Sequence, residues 1–287
     1  MQHSDLPAAL IEVQWLQQAM REQHPRLIIM DASWHLPTAN RNAESEWLYE
    51  RIPGANFFDF DKRICDRDSS LPHMMPDAEL FTSELRRLGV KKDSIVVFYC
   101  TAGTFTAPRA WWMMQAMGHQ HCAVLNGGLE AWRKAGLPIE TGQVTASRES
   151  GNFQAKPRAS KISDQREVAL ATHAEDACII DARSADRFFG KAPEPRPGLR
   201  AGHMPNACNL PFDRLIDNGY YRPIEELREA LASLATPDKR LIATCGSGVT
   251  ACVVAMAAHL CGYSDISVYD GSWAEWGAGD TTPISTQ

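Results

Sequence analysis

The chain has 287 residues, of which 44% are hydrophobic and 22% charged, and its formal net charge is −6. This length exceeds a typical single domain, and the hydrophobic content is enough to bury two ordinary cores. The negative balance provides no overall basic field for nucleic acid or an anionic membrane surface, so we expect neither as a partner. No apolar stretch approaches the ~20 residues that span a bilayer, and residues 1–10 lack a signal-peptide pattern, so we expect a cytoplasmic location.

Eight cysteines are scattered along the chain without C-x-x-C pairs. This usage is typical of a reducing compartment and argues against both a disulfide framework and a thiolate zinc site. His119 and His121 could bind a metal, but no carboxylate or cysteine stands at matching spacing. We therefore expect no metal site.

The chain contains an internal repeat. In chain order, residues 29–32, 52–55, 96–100 and 118–132 match residues 179–182, 204–207, 241–245 and 262–276. Two copies of one domain follow, and we assign residues 1–140 to the first and 161–287 to the second. Residues 141–160 are rich in Ser, Gly, Gln and charged residues with little periodicity, which predicts a linker.

Each copy alternates short apolar runs with amphipathic stretches. In the second copy the pattern predicts strands at 178–181, 240–244 and 266–269, and helices at 224–234 and 249–261. Such alternation is typical of a mainly parallel sheet with helices on both sides. The predicted fold class is therefore α/β, with two tandem domains that each contain a mainly parallel sheet flanked by helices.

Cys245 lies between a predicted strand and the helix that follows it. Unpaired N–H groups at a helix start, together with the positive end of the helix dipole, favour thiolate over thiol. Gly246 and Gly248 are expected to let the loop curl, and ligands gather at this end of a parallel sheet. These features predict a nucleophilic cysteine; the alternative is an inert cysteine between two core elements.

Several longer motifs support this interpretation. They are Ala107-Pro-Arg-Ala-Trp-Trp-Met113, Leu125-Asn-Gly-Gly128, Glu194-Pro-Arg-Pro-Gly198, Gly202-His-Met-Pro205, Cys245-Gly-Ser-Gly-Val-Thr250 and Tyr269-Asp-Gly-Ser-Trp273. With these motifs in this order, the chain resembles the tandem rhodanese family of sulfurtransferases over nearly its whole length. Within that family it resembles the 3-mercaptopyruvate sulfurtransferase branch, because thiosulfate-using members usually carry basic residues directly after the cysteine.

The resemblance implies a reaction. The Cys245 thiolate would attack the sulfur of 3-mercaptopyruvate, pyruvate would leave, and the enzyme would hold a persulfide. Thioredoxin, a small thiol or cyanide would then accept the sulfur. The resemblance implies no metal and no organic cofactor.

The resemblance also assigns the substrate-binding residues. By motif, the two substrate-binding arginines fall on Arg187 and Arg196, and Arg suits a substrate that carries a carboxylate and a ketone. The alternatives are that Arg187 pairs with a structural carboxylate and that Arg196 only decorates a Pro-rich loop. The remaining loop residues implied to line the substrate site are Gly246, Gly248, Val249 and Thr250.

A proton relay is implied as well. Ser247 would join His73 and Asp61, and histidine is the natural proton carrier near neutral pH. Both partners lie in the first predicted domain, so the site would lie across the domain interface. His73 could instead be a capping or packing residue, and Asp61 stands among several aspartates with an unusual spacing to His73.

Cys100 occupies the position of Cys245 in the first repeat. Its loop is one residue longer, has one glycine instead of two and includes the bulky Phe105. These differences predict that the first domain is inactive; a redox role for Cys100 is the alternative.

Other functions are also compatible with parts of this pattern. Thiosulfate:cyanide sulfurtransfer would use the same cysteine with another donor. A phosphatase would need the C-x5-R pattern, but Ala251 stands where that arginine belongs. A non-catalytic rhodanese-like binding module is opposed by the presence of Cys245 with both glycines.

Overall fold

The structure, a computed structural model, describes residues 6–143 and 149–287. Residues 1–5, part of the N-terminus predicted to lack a signal peptide, and residues 144–148 of the predicted linker lie outside the described residues. No helix in the described ranges is both long and apolar enough to cross a membrane.

Helices and strands alternate along the chain except between residues 208 and 221, where three strands follow one another with no α-helix between them. Those of the first half are β1 (Leu10–Ile11), α1 (Val13–Arg21), β2 (Leu27–Asp31), α2 (Ala43–Tyr49), β3 (Asn56–Phe57), α3 (Ala78–Arg87), β4 (Ile95–Tyr99), α4 (Ala107–Ala116), β5 (Cys122–Leu125) and α5 (Gly128–Lys134). Those of the second half are β6 (Ile162–Ser163), α6 (Gln165–Ala171), β7 (Ala177–Asp181), α7 (Ala185–Phe188), β8 (Cys208–Asn209), β9 (Ile216–Asp217), β10 (Tyr220–Tyr221), α8 (Ile224–Ala232), β11 (Arg240–Thr244), α9 (Ala251–Leu260), β12 (Ile266–Tyr269) and α10 (Ser272–Trp276).

Two five-stranded sheets repeat one topology. The first has the strand order β1-β5-β4-β2-β3 and the second β6-β12-β11-β7-β8. All strand pairs that the structure describes in these sheets are parallel. Each strand of the first sheet therefore has a counterpart at the same place in the second, and the predicted tandem α/β fold is confirmed.

The central strands are buried on both faces, which is why β4 is a continuous apolar run and residues 241–243 in the middle of β11 are apolar. Helix α9 is apolar around its circumference, and residues 251–258 are all buried. A helix of this kind belongs inside a core. Its first turn therefore offers a rigid support for the loop that precedes it.

The predicted helix at 249–261 begins two residues later in the structure, at Ala251. Gly248 has φ +75°, a left-handed conformation that an α-helix does not contain, so the helix cannot extend back through it. Val249 and Thr250 lie between Gly248 and the start of α9 and belong to the loop. The predicted helix at 224–234 ends at Ala232.

The chain forms two compact units that exchange short segments. Residues 68–75 belong to the second unit, although they lie in the first half of the sequence, and residues 218–221 belong to the first. Within the predicted linker, residues 149–157 belong to the first unit. There the N–H of Gly151 donates to the Arg86 carbonyl at 2.8 Å, and that of Phe153 to the Val90 carbonyl at 3.1 Å.

Candidate active site

Cys245 directly follows β11 and is 2% exposed. Its backbone N–H donates to Oγ of Ser272 at 3.2 Å, and its carbonyl accepts from the N–H of Trp273 at 2.9 Å. Both partners lie at the start of α10. The backbone of Cys245 is therefore held between the end of a central strand and the start of a helix.

The two loop glycines serve different purposes. Gly248 adopts a left-handed conformation, and its carbonyl accepts from the Cys252 thiol at 3.2 Å. Gly246 has no positive φ, so its backbone conformation does not itself require glycine. A Cβ on Gly246 would instead stand 3.0 Å from Nη2 of Arg187. The absence of a Cβ at Gly246 thus leaves space for the guanidinium of Arg187.

The rest of the loop leads into α9. The carbonyls of Val249 and Thr250 accept from the N–H groups of Cys252 and Val253 at 3.1 and 3.0 Å. The N–H groups that precede the first full turn of a helix have no intrahelical acceptor. This end of α9 therefore offers backbone donors and a partial positive charge to the Cys245 loop.

Arg196 contacts two of the predicted relay residues. Its Nη2 lies 3.3 Å from Oγ of Ser247 and 3.5 Å from Nε2 of His73. Ser247 and His73 are 5% and 4% exposed. Since Arg196 can only donate, the contact orients a lone pair of Nε2 toward it. The structure therefore brings three of the predicted site residues together.

Arg187 is paired with Glu194. Its Nη2 donates to Oε2 of Glu194 at 2.5 Å, and its Nε donates to Oε1 at 3.2 Å. The side chain of Glu194 is 2% exposed, whereas that of Arg187 is 24% exposed. Arg187 thus has a structural carboxylate on one edge while it also lies beside Gly246.

The segment that carries His73 is fixed by Asp270, a residue to which the sequence assigns no role. Asp270 is 3% exposed, and its Oδ2 accepts from the N–H of Met75 at 2.6 Å. His73 itself has φ +63°, a conformation that a non-glycine residue adopts at a cost. The surrounding contacts must hold it there. Asp270 belongs to the motif at residues 269–273, but no local pattern links it to residues 68–75.

Asp61 lies in the first compact unit. There it lines a surface cavity together with Asp59, Phe60 and Lys62. Its backbone N–H donates to Oδ1 of Asp59 at 3.1 Å. The role of Asp61 in a proton relay stays a prediction.

Cys100 lies in a different environment from Cys245. It is 1% exposed, and its thiol donates to the Gly103 carbonyl at 3.0 Å. Burial raises the pKa of this thiol above its usual value. A Cβ on Gly128 would collide with the Cys100 carbonyl oxygen, so the loop packs closely on the start of α5. This arrangement favours a protonated, unreactive thiol.

We expect Cys100 to resist alkylation under conditions that fully label Cys245. The physical reason is its raised pKa and its hydrogen bond to Gly103. Iodoacetamide treatment of the native protein, followed by peptide mass mapping, measures both sites in one sample. Labelling of Cys100 at the same rate as Cys245 would instead support a redox role in the first unit.

Gly246→Ala is expected to raise the KM for a carboxylate substrate about tenfold, since one displaced charge-assisted hydrogen bond has that order of effect. The new Cβ would press on Nη2 of Arg187, which cannot easily yield because Glu194 holds it. The backbone conformation at Gly246 needs no glycine, so the melting temperature should change little. Steady-state kinetics and thermal melting test this, and an unchanged KM would contradict it.

Comparison with known proteins places the chain in a family. The family model described as Rhodanese-like domain matches residues 12–135 and again 164–278. Human 3-mercaptopyruvate sulfurtransferase is 40% identical over 93% of this chain and 91% of its own length. Chicken thiosulfate sulfurtransferase is 40% identical over 94% of each chain. The crystal structure of SseA from Escherichia coli superposes with a TM-score of 0.83 at 36% identity, covering 93% of this chain and 99% of that one. The chain therefore belongs to the rhodanese family of sulfurtransferases and carries the rhodanese-like domain twice in tandem.

Proposed function

We propose that this protein transfers sulfur from 3-mercaptopyruvate to an acceptor through a persulfide on Cys245 and releases pyruvate. The observation that carries the proposal is the position of two guanidinium groups at the residue after Cys245. A Cβ on Gly246 would lie 3.0 Å from Nη2 of Arg187 and 3.9 Å from Nη1 of Arg196. The forked N–H donors of these two guanidinium groups, beside Gly246, suit the carboxylate and ketone of a small keto acid.

In the first half-reaction, the thiolate of Cys245 attacks the sulfur of 3-mercaptopyruvate. A new S–S bond forms as the C–S bond breaks, and the electron pair of that bond passes to carbon as the enolate of pyruvate. A proton then converts the enolate to pyruvate. Ser247 and His73, both in contact with Arg196, are proposed to transfer this proton.

In the second half-reaction, an acceptor attacks the outer sulfur of the persulfide. A thiolate acceptor leaves with the sulfur as its own persulfide, and cyanide leaves as thiocyanate. In each case the electron pair of the S–S bond returns to Cys245 as thiolate. Backbone donors of residues 246–250 at the start of α9 would stabilise the charge on sulfur, as an oxyanion hole does for oxygen.

Thiosulfate is the second candidate donor. The chicken relative at 40% identity is named thiosulfate sulfurtransferase, so overall identity does not separate the two donors. The loop after Cys245 reads Gly-Ser-Gly-Val-Thr and contains no basic residue, which favours an organic acid over a dianion. Steady-state kinetics with both donors ranks them, and a higher kcat/KM for thiosulfate would reverse the order proposed.

The decisive experiment is the intact mass of the protein after incubation with 3-mercaptopyruvate, combined with an assay for pyruvate. We expect one added sulfur, mapped to Cys245, and one pyruvate released for each sulfur bound. Thioredoxin, a small thiol or cyanide should then remove that sulfur. Pyruvate release without added sulfur on Cys245 would contradict the persulfide. The cytoplasmic location stays a prediction of the sequence.

A further inference from the structure

A chain of four charged side chains lies beside the cysteine loop in the second unit. In order of contact they are Asp181, Arg183, Glu194 and Arg187, and their charges alternate in sign. The side chain of Arg183 is fully buried, and those of Asp181 and Glu194 are 1% and 2% exposed. Buried charges need paired partners, and this alternation supplies them.

Glu194 is the link between the two arginines. Its Oε1 accepts from Nη1 of Arg183 at 2.8 Å and from Nε of Arg187 at 3.2 Å. Its Oε2 accepts from Nη2 of Arg187 at 2.5 Å. A carboxylate that accepts from both Nε and Nη2 fixes the plane of the guanidinium group as well as its position.

Arg183 anchors this arrangement. Its Nη2 donates to Oδ2 of Asp181 at 2.7 Å and to the Gly202 carbonyl at 2.8 Å. Its guanidinium carbon lies 4.1 Å from the centre of the Trp273 ring. Trp273 also donates its backbone N–H to the carbonyl of Cys245. Trp273 therefore supports both the loop that carries Cys245 and the row of charged side chains that ends at Arg187.

The first unit provides an internal comparison. Asp31 ends β2 as Asp181 ends β7, and each accepts at Oδ1 from the N–H two residues later, at 2.8 Å from Ser33 and 2.9 Å from Arg183. The arginine thus accompanies the unit that contains Cys245, while the other unit has a serine at the same point. Since buried ion pairs add little net stability over apolar packing, this difference favours a role at the site.

We propose that Glu194 is a positioning residue: anchored by Arg183, its carboxylate holds the guanidinium of Arg187 beside Gly246, ready to receive the substrate carboxylate. This inference rests on the proposed function, which assigns Arg187 to that carboxylate. A donor held in place before binding loses less conformational freedom when the substrate arrives. If Glu194 instead competed with the substrate for Arg187, its removal would strengthen binding.

Two substitutions separate position from charge. Glu194→Gln keeps the size but turns an N–H group toward one of the two arginines, and Glu194→Asp keeps the charge but withdraws it by one methylene. We expect both to raise the KM for 3-mercaptopyruvate about tenfold to hundredfold while kcat stays within about threefold. The matched control is Glu167→Gln, since Glu167 is 43% exposed and pairs with Arg240 at 3.0 Å. It should leave both constants unchanged.

A double variant tests whether Glu194 acts through Arg187. In the double variant Arg187→Lys/Glu194→Gln the KM should be no higher than in Arg187→Lys alone. The guanidinium that Glu194 orients is already absent, so the loss of Glu194 has no further effect on substrate binding. If the two single substitutions raise the KM by factors that multiply in the double variant, the proposal is overturned. A KM that falls in Glu194→Gln would overturn it as well and would favour competition for Arg187.

A binding measurement makes the test independent of turnover and of folding yield. Resistance of Cys100 to iodoacetamide gives the folded fraction of each variant, and protection of Cys245 by pyruvate gives the affinity for a keto acid. We expect about tenfold weaker protection in both Glu194 variants, in line with the loss of an oriented charge-assisted bond. Unchanged protection would overturn the positioning role, whereas a wild-type protein that releases no pyruvate would contradict the proposed function instead.

Discussion

Cys245→Ser should abolish the release of pyruvate from 3-mercaptopyruvate, with a loss of about four orders of magnitude or more, as expected when a covalent nucleophile is removed. A serine hydroxyl stays protonated near neutral pH and cannot form a persulfide. The contacts of residue 245 to Ser272 and Trp273 are made by its backbone, so the loop should keep its shape. The melting temperature should therefore stay close to that of the wild type.

The matched control is Cys100→Ser, which changes the equivalent residue of the first unit. Serine can keep the hydrogen bond to the Gly103 carbonyl, so turnover should remain near the wild-type value. Pyruvate release and intact mass are measured for both variants after incubation with 3-mercaptopyruvate. Pyruvate release that persists in Cys245→Ser and disappears in Cys100→Ser would move the activity to the first unit.

The repeat made much of the fold predictable. Matching segments at equivalent points of the two halves required two copies of one sheet, and the strand order is indeed the same in both. The place of Cys245 followed from a buried strand next to a helical pattern. The loop conformation did not follow from composition alone, because Gly248 has a positive φ while Gly246 provides space for Arg187.

Other features depend on contacts that no local pattern encodes. The residues around Glu194 lack periodicity, so nothing in the sequence shows that its carboxylate meets both Arg183 and Arg187. Residues 68–75 lie within the first half of the sequence but belong to the second unit, where the N–H of Met75 donates to Asp270. An Asp-x-Arg pattern stands at the end of a buried strand, at Asp181. This pattern is the sequence signal that could have pointed to the four charged side chains that end at Arg187.

Arg196→Ala should lower kcat/KM for 3-mercaptopyruvate about 100- to 10,000-fold, since two charge-assisted hydrogen bonds to a carboxylate are worth about 1.5–3 kcal/mol each. Arg196 is half-buried, and its Nη2 lies within 3.5 Å of both Ser247 Oγ and His73 Nε2. Its loss removes a substrate donor and also a contact that orients the relay. Arg196→Lys keeps the charge without the fork and should fall about tenfold.

The test for Arg196 compares substrate kinetics with the reactivity of the thiol. Iodoacetamide is neutral, so its rate with Cys245 should change less than about threefold when Arg196 is replaced, because no carboxylate is being recognised. Arg222→Lys is the matched control, since Arg222 is 37% exposed and pairs with Glu226 at 3.0 Å. An unchanged kcat/KM in Arg196→Ala would mean that Arg196 is a surface residue of its Pro-rich loop with no role in substrate binding. A fall in both measurements would assign it to the structure of the cysteine loop, whereas a fall in kcat/KM alone would assign it to the substrate carboxylate.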